Sequence, residues 1–331
     1  MTRTAYAQAG VDVDAGERAV ALMRAHAQSL SGEFASISAV PAGMVAPLVI
    51  SATDGVGTKT NLAGRLGRYD TVGQDLVAMC ADDVVCHGAA PAFFLDYLAV
   101  GRIVPERVAE IVGGIAAACR QVGCDLLGGE TAEHPGVMAV DDFDLAGFCV
   151  GFVERDELID GSAARPGDVV VGLASSGLHS NGFSLVRRLV DDGRLALTAE
   201  LLTPTRLYAP AVMALLRELR GRGLRVGGLA HVTGGGLARN LARGVGRDVG
   251  VRVRPSAWQQ PAIFDAIASA AEMDAAEMRA TFNCGIGFAA IVEPRAASDA
   301  LQILAENGID AWPIGEVAPV KDLGGVRYLE A

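Results

Sequence analysis

The sequence contains no apolar run that approaches the roughly 18 residues needed for a membrane-spanning helix. Asp12, Asp14 and Glu17 interrupt the stretch where a secretory signal peptide would carry its apolar core. We therefore expect a cytoplasmic location and no membrane partner. A net charge of −11 gives the chain no basic excess with which to replace the counterions of nucleic acid, so nucleic acid is not expected as a partner either.

Short motifs for zinc binding and for serine hydrolases are also missing. The six cysteines include no Cys-x-x-Cys pair and mostly lie in apolar segments, so we expect reduced core thiols. The histidines show no His-x-x-x-His spacing, and there is no Gly-x-Ser-x-Gly elbow. What is present is an ordinary globular composition over 331 residues, which is long enough for two domains with a sizeable core.

Predicted strands and helices alternate along the chain, which indicates an α/β or mixed α+β fold. Asp14 and Glu17 form a capping box for a first helix that runs to about Leu30. The first half carries strands at 48–53, 93–100, near 125 and 146–153, with helices at 75–90 and 105–121. The second half carries strands at 168–174, 249–254, 287–292 and 326–329, with helices at 183–190, 208–220, 237–243, 261–270 and 296–306. The Pro-Gly turn within 163–167 divides the chain into domains 1–164 and 165–331.

The segment 53–59, Thr-Asp-Gly-Val-Gly-Thr-Lys, directly follows the first apolar strand. It places a carboxylate, two glycines, a hydroxyl and an ammonium group at one strand end. Gly55 and Gly57 let backbone amides approach phosphate oxygens, Lys59 adds a positive charge, and Asp54 can hold Mg²⁺. The spacing differs from that of the P-loop, and a plain glycine turn is the alternative interpretation.

Carboxylates also occur in segments that are otherwise apolar. On the helix predicted for 75–90, Asp75, Asp82 and Asp83 return to nearly one face, where they need a cation, a metal or a water-filled cleft. Asp96 lies in the apolar strand at 93–100 and needs a partner as well. A solvated helix face and a structural hydrogen bond are the alternatives.

Three further segments place small or polar residues after a strand. Residues 128–133, Gly-Gly-Glu-Thr-Ala-Glu, are predicted as a flexible turn that carries Glu130. Residues 175–182 and 231–236 each precede a predicted helix, whose N-terminus favours anions, although triple glycine can also be a plain turn. The histidines in or beside these segments are the better candidates for chemistry: His134, His179 and His231.

Eight segments, in order along nearly the whole chain, resemble the phosphoribosylformylglycinamidine cyclo-ligases, which are the aminoimidazole ribonucleotide synthetases of purine synthesis. They are TDGVGTK at 53–59, GQDLVAM at 73–79, FFLDY at 93–97, GGETAE at 128–133, AGFCVG at 146–151, SSGLHSNG at 175–182, HVTGGG at 231–236 and FNCGIG at 282–287. The ordered set is far more specific than any one loop.

The resemblance implies a PurM-like fold with two domains in a homodimer. Residues 1–164 would form the ATP-binding and dimerisation domain, whose strands join those of the partner in a shared barrel. Residues 165–331 would form the C-terminal α/β domain on the substrate side. The implied reaction is the ATP-dependent cyclisation of formylglycinamidine ribonucleotide to aminoimidazole ribonucleotide, ADP and phosphate. Phosphorylation turns the formyl oxygen into a leaving group, and Mg²⁺ stabilises the transferring phosphoryl group.

The resemblance also implies roles for individual residues. Mg²⁺ would be held by Asp54, Asp82 and Asp83. ATP would be bound by Gly55, Gly57, Thr58, Lys59 and Asp75. The ribonucleotide would be bound by Ser176, His179, Asn181, His231, Gly234, Gly235, Gly236 and Asn283. The residues implied to orient the amidine, relay protons or contact phosphate in catalysis are Asp96, Glu130 and Lys59.

Three positions depart from the family pattern. Residues 30–35 stand where the family has a glycine-rich segment, and they include Glu33. Asp82 replaces a common asparagine, and His134 replaces a usual methionine. The alternative functions are therefore a paralogous ATP-dependent kinase or ligase of the same superfamily acting on a related small molecule, or a noncatalytic nucleotide-binding dimer.

Overall fold

The computed structural model describes residues 13–23 and 35–331. Its α-helices are α1 (Val13–Met23), α2 (Lys59–Leu66), α3 (Asp70–Val85), α4 (Pro105–Val122), α5 (Phe183–Asp191), α6 (Ala209–Gly221), α7 (Gly236–Arg243), α8 (Ala262–Ala271), α9 (Ala275–Thr281) and α10 (Ala297–Glu306). Its strands are β1 (Pro47–Gly55), β2 (Ala90–Val100), β3 (Asp125–Glu133), β4 (Phe143–Glu154), β5 (Val169–Ala174), β6 (Val226–His231), β7 (Val249–Val253), β8 (Ile286–Val292), β9 (Ala311–Pro319) and β10 (Tyr328–Glu330). No helix among the described residues is both long enough and apolar enough to span a membrane.

The first half of the chain forms a four-stranded sheet in the order β1-β4-β2-β3. β4 pairs antiparallel with β1 and β2, whereas β2 and β3 are parallel and are joined by α4. α3 is buried around most of its circumference because it packs between this sheet and α4. The opposite face of the sheet carries the exposed side chains of Val49, Tyr97 and Phe148.

The second half forms a six-stranded sheet in the order β10-β7-β9-β5-β8-β6. β8 lies between β5 and β6 and is antiparallel to both. The first residues of β8 therefore lie beside the last residues of its neighbours, so that Ala174 pairs with Ile286 and His231 pairs with Phe288. This topology brings the segments 175–182, 231–236 and 282–287 to one end of the sheet.

Most predicted elements are present, with shifted ends. The helix predicted for 75–90 begins at Asp70 and ends at Val85. The helix predicted near Asp14 is confirmed as α1, but its expected continuation to Leu30 and the segment around Glu33 lie outside the described residues. Four elements were not predicted, namely α2, α9, β6 and β9.

The prediction of a flexible turn at 128–133 was wrong, because these residues form the second half of β3 and pair in register with β2. A Cβ atom at Gly129 would lie only 2.3 Å from Oδ1 of Asp96 on the neighbouring strand. Glycine is required at this position because the Asp96 side chain approaches the backbone closely within the sheet. It does not mark a turn.

Candidate active site

The segment 53–59 lies at the junction between the two sheets. β1 ends at Gly55 and α2 begins at Lys59, with Gly57 between them at a φ of +62°, a conformation that side chains disfavour. Across the junction, the hydroxyl oxygen of Thr58 lies 3.3 Å from that of Ser184 at the start of α5. The end of the first strand of one sheet is thus held against the loop and helix that follow β5 in the other.

Asp54, Asp83 and His231 come together at this junction. Nδ1 of His231 donates to Oδ1 of Asp83 at 2.9 Å, and the other ring nitrogen, Nε2, is buried with no hydrogen-bond partner among the described residues. Burial raises the pKa of Asp54, an effect opposed by the N–H of Gly55 and reinforced by the charge of Asp83. The described geometry therefore gathers two carboxylates and an imidazole with a free nitrogen.

The electrostatics of His231 are set by its carboxylate neighbours. Burial alone would lower the pKa of this imidazole, but the hydrogen bond to Asp83 and the nearby charges of Asp82 and Asp54 raise it above its ordinary value. The pair favours an imidazolium whose Nδ1 is held by Asp83 and whose Nε2 can donate to a ligand.

A cavity of about 350 Å³ opens beside this pair. Its lining includes Thr53 from β1, Asp83 from α3, and Asn240 and Arg243 from α7. The guanidinium of Arg243 has one long contact, 3.4 Å from Nη1 to Oδ1 of Asn240, and the residue is exposed. The cavity therefore presents carboxylates on one side and a cation on the other, which suits a metal-bound anion.

Asp54 and Asp83 fit the requirements of Mg²⁺. The Asp83 side chain is 43% exposed and has one oxygen engaged by His231, and Oδ1 of Asp54 accepts from the N–H of Gly55, so each keeps a second oxygen. The described residues contain no group of three or more side chains that could hold a metal by themselves. Mg²⁺ does not need such a cage, because it is usually held by one or two carboxylates together with substrate phosphates and water.

Asp82 does not fit the metal role that was expected of it. Its carboxylate is fully buried, and Oδ1 accepts from the backbone N–H groups of Tyr208 at 3.0 Å and Ala209 at 2.8 Å. These are the first N–H groups of α6, which have no partner within the helix. The side chain thus serves as an N-terminal cap for a helix of the other half, and burial raises the pKa of Asp82 to about 7.

Lys59 and Asp75 were expected to bind ATP, but the structure places them together in the interior. Both are fully buried, and Nζ of Lys59 lies 2.9 Å and 2.8 Å from the two carboxylate oxygens of Asp75. Nζ also donates to the carbonyl oxygens of His179 and Thr203. The three donors of the ammonium group therefore all have protein acceptors, a geometry that does not favour a phosphate contact.

The predicted ribonucleotide residues cluster around the three loops at the end of the second sheet. Nδ2 of Asn283 donates to the carbonyl oxygen of Gly177, and this hydrogen bond joins the 282–287 segment to the 175–182 loop. Within residues 13–23 and 35–331, Nδ2 of Asn181 has no hydrogen-bond partner, and its Oδ1 is 3.5 Å from the position of an added Cβ at Gly234. Asn181 and the glycine turn therefore face the same space.

The other residues expected to contact the ribonucleotide serve the loop itself. Nε2 of His179 accepts from the N–H of Ser176, and burial holds the pKa of His179 well below its usual range. The hydroxyl of Ser176 donates to the carbonyl oxygen of Pro204 at 2.6 Å. Gly236 has a φ of +64°, and an added Cβ would lie 1.9 Å from the carbonyl oxygen of Arg279, so its glycine is required by the turn.

Asp96 and Glu130 lie apart from this cluster. They are on β2 and β3, whereas Asp54 is on β1 at the opposite edge of the sheet, about 10 to 14 Å away at the usual spacing between strands. Burial raises the pKa of Asp96 to about 7, and Glu130 is exposed. His134 is also distant from Asp54, with Nε2 lying 3.2 Å from the hydroxyl oxygen of Tyr97.

Sequence reasoning missed Arg243 and Asn240. Nδ2 of Asn240 donates to the carbonyl oxygen of Gly236 at 2.8 Å and lies near those of Thr233 and Gly234, so it fastens the glycine turn. Arg243 follows Gly236 by seven residues, which returns it to the same helix face two turns later. That spacing from the glycine-rich helix start was the available signal.

Comparison with known proteins places the chain in a class and then in a family. Residues 41–153 match the model for the N-terminal domain of AIR synthase related proteins, and residues 165–327 match the model for their C-terminal domain. The chain is 45% identical to the phosphoribosylformylglycinamidine cyclo-ligase of Sorangium cellulosum, with 96% of each chain covered. It is 46% identical to that of Geobacillus kaustophilus, with 95% of each covered. The chain belongs to the phosphoribosylformylglycinamidine cyclo-ligase family.

Solved structures with the same fold have much lower sequence identity. The hydrogenase maturation protein HypE, solved in complex with ATP, is 18% identical with a TM-score of 0.70, covering 96% of this chain and 91% of that one. The thiamine-monophosphate kinase of Stenotrophomonas maltophilia is 19% identical with a TM-score of 0.64, covering 95% of this chain and 94% of that one. These likenesses establish the two-domain α/β fold alone.

Proposed function

We propose that this chain closes the imidazole ring of formylglycinamidine ribonucleotide at the expense of ATP, giving aminoimidazole ribonucleotide, ADP and phosphate. The observation that carries the proposal is the assembly of Asp54, Asp83 and His231 at the junction of the two sheets, in a chain that belongs to the cyclo-ligase family. Two acidic ligands and an imidazole donor beside a polar cavity are what phosphoryl transfer to a neutral oxygen requires.

The chemical difficulty is the formyl oxygen, which is a poor leaving group. Transfer of the γ-phosphoryl group of ATP to this oxygen makes a phosphate ester, and attack of the amidine nitrogen on the same carbon then expels phosphate and closes the ring. When bound, Mg²⁺ supplies charge stabilisation to the transferring phosphoryl group. Asp54 and Asp83 would hold it through their free oxygens, which leaves Asp82 to its structural contacts.

His231 and Arg243 complete the charge complement of the site. The imidazolium, oriented by Asp83, offers its buried Nε2–H to an oxygen of the phosphoryl group. Arg243 supplies a cation for phosphate at the cavity wall. The chain has two lysines, and neither of them lines this cavity. Lys59 is engaged in the interior, and Lys321 lies in the connection between β9 and β10. The cation of the site is therefore an arginine.

The division of the chain and its assembly are part of the same proposal. The first sheet ends with β4 at Glu154 and the second begins with β5 at Val169, which supports domains 1–164 and 165–331. The apolar outer face of the first sheet supports a homodimer in which two such faces meet in a shared barrel. A cytoplasmic location remains a prediction from the sequence.

The test is steady-state turnover with authentic formylglycinamidine ribonucleotide, ATP and Mg²⁺. Formation of aminoimidazole ribonucleotide and ADP in equal amounts is expected. ADP formation without the imidazole product would indicate a kinase of the same superfamily, and ligand binding without ADP formation would indicate a nucleotide-binding protein.

A further inference from the structure

Lys59 is a buried cation that joins the end of the 53–59 segment to the second half of the chain. Its Nζ donates to the carbonyl oxygens of His179 at 2.9 Å and Thr203 at 3.0 Å. It also lies 5.4 Å from the centre of the Phe183 ring at the start of α5. These three contacts are not needed to neutralise Asp75, so the ammonium group of Lys59 binds the second half of the chain in addition to pairing with that carboxylate.

Asp75, which accepts a hydrogen bond from Lys59, is itself bonded to the second half of the chain. Oδ1 of Asp75 accepts from the backbone N–H of Thr205 at 2.7 Å and from its hydroxyl at 2.6 Å. The hydroxyl of Thr205 lies 3.0 Å from that of Ser180, within the 175–182 loop. Gln74 adds a bond from Nε2 to the carbonyl oxygen of Thr205. Both α3 side chains thus reach the loop through Thr205, and the bond from Lys59 to the carbonyl oxygen of His179 gives the loop a second link to Asp75.

The contact with His179 has a specific consequence for the loop. His179 has a φ of +62°, a left-handed conformation that is uncommon and unfavourable for a residue with a side chain. A charge-assisted hydrogen bond to its carbonyl oxygen stabilises this backbone where it is strained. Asn181, two residues after His179, has its Oδ1 3.5 Å from the position of an added Cβ at Gly234.

We propose that Lys59, paired with Asp75, is a positioning residue that fixes the 175–182 loop in the conformation that binds the ribonucleotide, and that it makes no contact with ATP. The inference rests on the proposed function for the identity of the ligand. It assigns to the lysine of the 53–59 segment a role in ribonucleotide affinity, which the motif by itself would not suggest.

The test uses the double variant Lys59→Met/Asp75→Asn. Methionine has a similar length but no donor, and asparagine keeps an oxygen for the N–H of Thr205, so no charge is left buried without a partner. Arg65→Met is the matched control, because Arg65 lies on the same helix and pairs across the junction with Asp191 at the exposed surface. The KM values for ribonucleotide and ATP are measured separately for each protein.

We expect the double variant to raise the KM for ribonucleotide by about 10- to 100-fold while the KM for ATP changes less than about twofold. The control should change neither. A rise in the KM for ATP with an unchanged KM for ribonucleotide would overturn the proposal in favour of a phosphate contact. Equal losses in both, matching a fall in the unfolding midpoint, would overturn it in favour of general stability.

Amide hydrogen exchange gives a readout that does not depend on turnover. In the double variant, exchange within 175–182 should accelerate by about tenfold or more, with no change in the strands of the first sheet. Unchanged exchange in the loop would overturn the positioning role even if the enzyme is active. Failure of the unmodified protein to form aminoimidazole ribonucleotide would instead contradict the proposed function and leave the exchange result to decide the role of Lys59.

Discussion

In the proposed site, Mg²⁺ binding and the charged form of His231 both depend on Asp83. We expect Asp83→Asn to lower kcat/KM by about 10²- to 10³-fold, because loss of the charge weakens Mg²⁺ binding and removes the main support for the charged form of His231. Turnover measured against Mg²⁺ concentration should show a higher requirement, with little change in the unfolding midpoint since the side chain is 43% exposed. Asp141→Asn removes an exposed charge elsewhere and serves as the control. An unchanged Mg²⁺ requirement would contradict the assignment.

Ionisation of Asp96 lowers the free energy of unfolding, so the contribution of this residue to stability depends on pH. Burial raises the pKa of Asp96 from 3.8 to about 7, so between these values the folded protein keeps a proton that the unfolded chain has lost. The free energy of unfolding of the wild type therefore falls as pH rises through this window. Asp96→Asn cannot ionise and should be more stable than the wild type above about pH 7, by up to ~4 kcal/mol, with a small difference near pH 4. Urea unfolding at several pH values measures this, and a difference independent of pH would refute it.

Single residues in the sequence suggested chemistry but did not indicate their structural partners. Asp54 and Asp83 were expected at a metal site, and the structure brings them together. Lys59 was read as a phosphate contact because an exposed lysine after a glycine turn has that chemistry. Its burial depends on Asp75 and on carbonyl groups more than 100 residues away, which no local pattern contains.

At the scale of elements, α3 is the main connection between the two halves. Four of its side chains reach the second half, three of them toward the start of α6 and the loop before it and one toward β6. These are Gln74, Asp75, Asp82 and Asp83. The apolar residues between them pack against the first sheet and α4, so one helix supplies both core packing and polar contacts across the junction.

The cap that α3 provides to α6 can be tested with two substitutions at one position. Asp82→Ala should lower the free energy of unfolding by about 1 to 3 kcal/mol, because it leaves the buried N–H groups of Tyr208 and Ala209 without an acceptor. Asp82→Asn keeps an oxygen acceptor and removes a buried charge, so it should be near neutral. Chemical denaturation distinguishes the two, and equal losses for both variants would contradict the capping role.

Elements were predictable from periodicity and strand composition where those signals were strong. α4, with proline at its first position, and β5, with its apolar run, were predicted closely. β3 was predicted only in its first half because its glycines indicated a turn, yet Gly129 exists to admit the Asp96 side chain. The sequence of β6 begins with Val-Gly-Gly, and its strand conformation comes from pairing with β8.

The whole molecule has an apolar sheet face that a second copy would cover. Phe148 lies on this face and is 44% exposed, with Leu95 and Thr53 as its register partners on either side. We expect Phe148→Asp to convert a dimer to a monomer in light scattering, since it would bury an unpaired charge in the interface. Val137→Asp, at a position 81% exposed in a connecting loop, should leave the dimer intact. A monomeric unmodified protein would contradict the homodimer.

The overall arrangement of the site followed from sequence only in part. Eight ordered segments indicated the fold and the reaction, but they could not show that β8 lies between β5 and β6 and so brings three loops together. Strand order depends on contacts between distant residues, which local patterns do not specify.

In the proposed reaction, the formyl oxygen leaves as part of the released phosphate. Formylglycinamidine ribonucleotide labelled with ¹⁸O at the formyl group, turned over with ATP and Mg²⁺, tests this directly by mass spectrometry of the released phosphate. We expect each phosphate to carry one ¹⁸O atom and one aminoimidazole ribonucleotide to form with it. Imidazole product accompanied by unlabelled phosphate would contradict it.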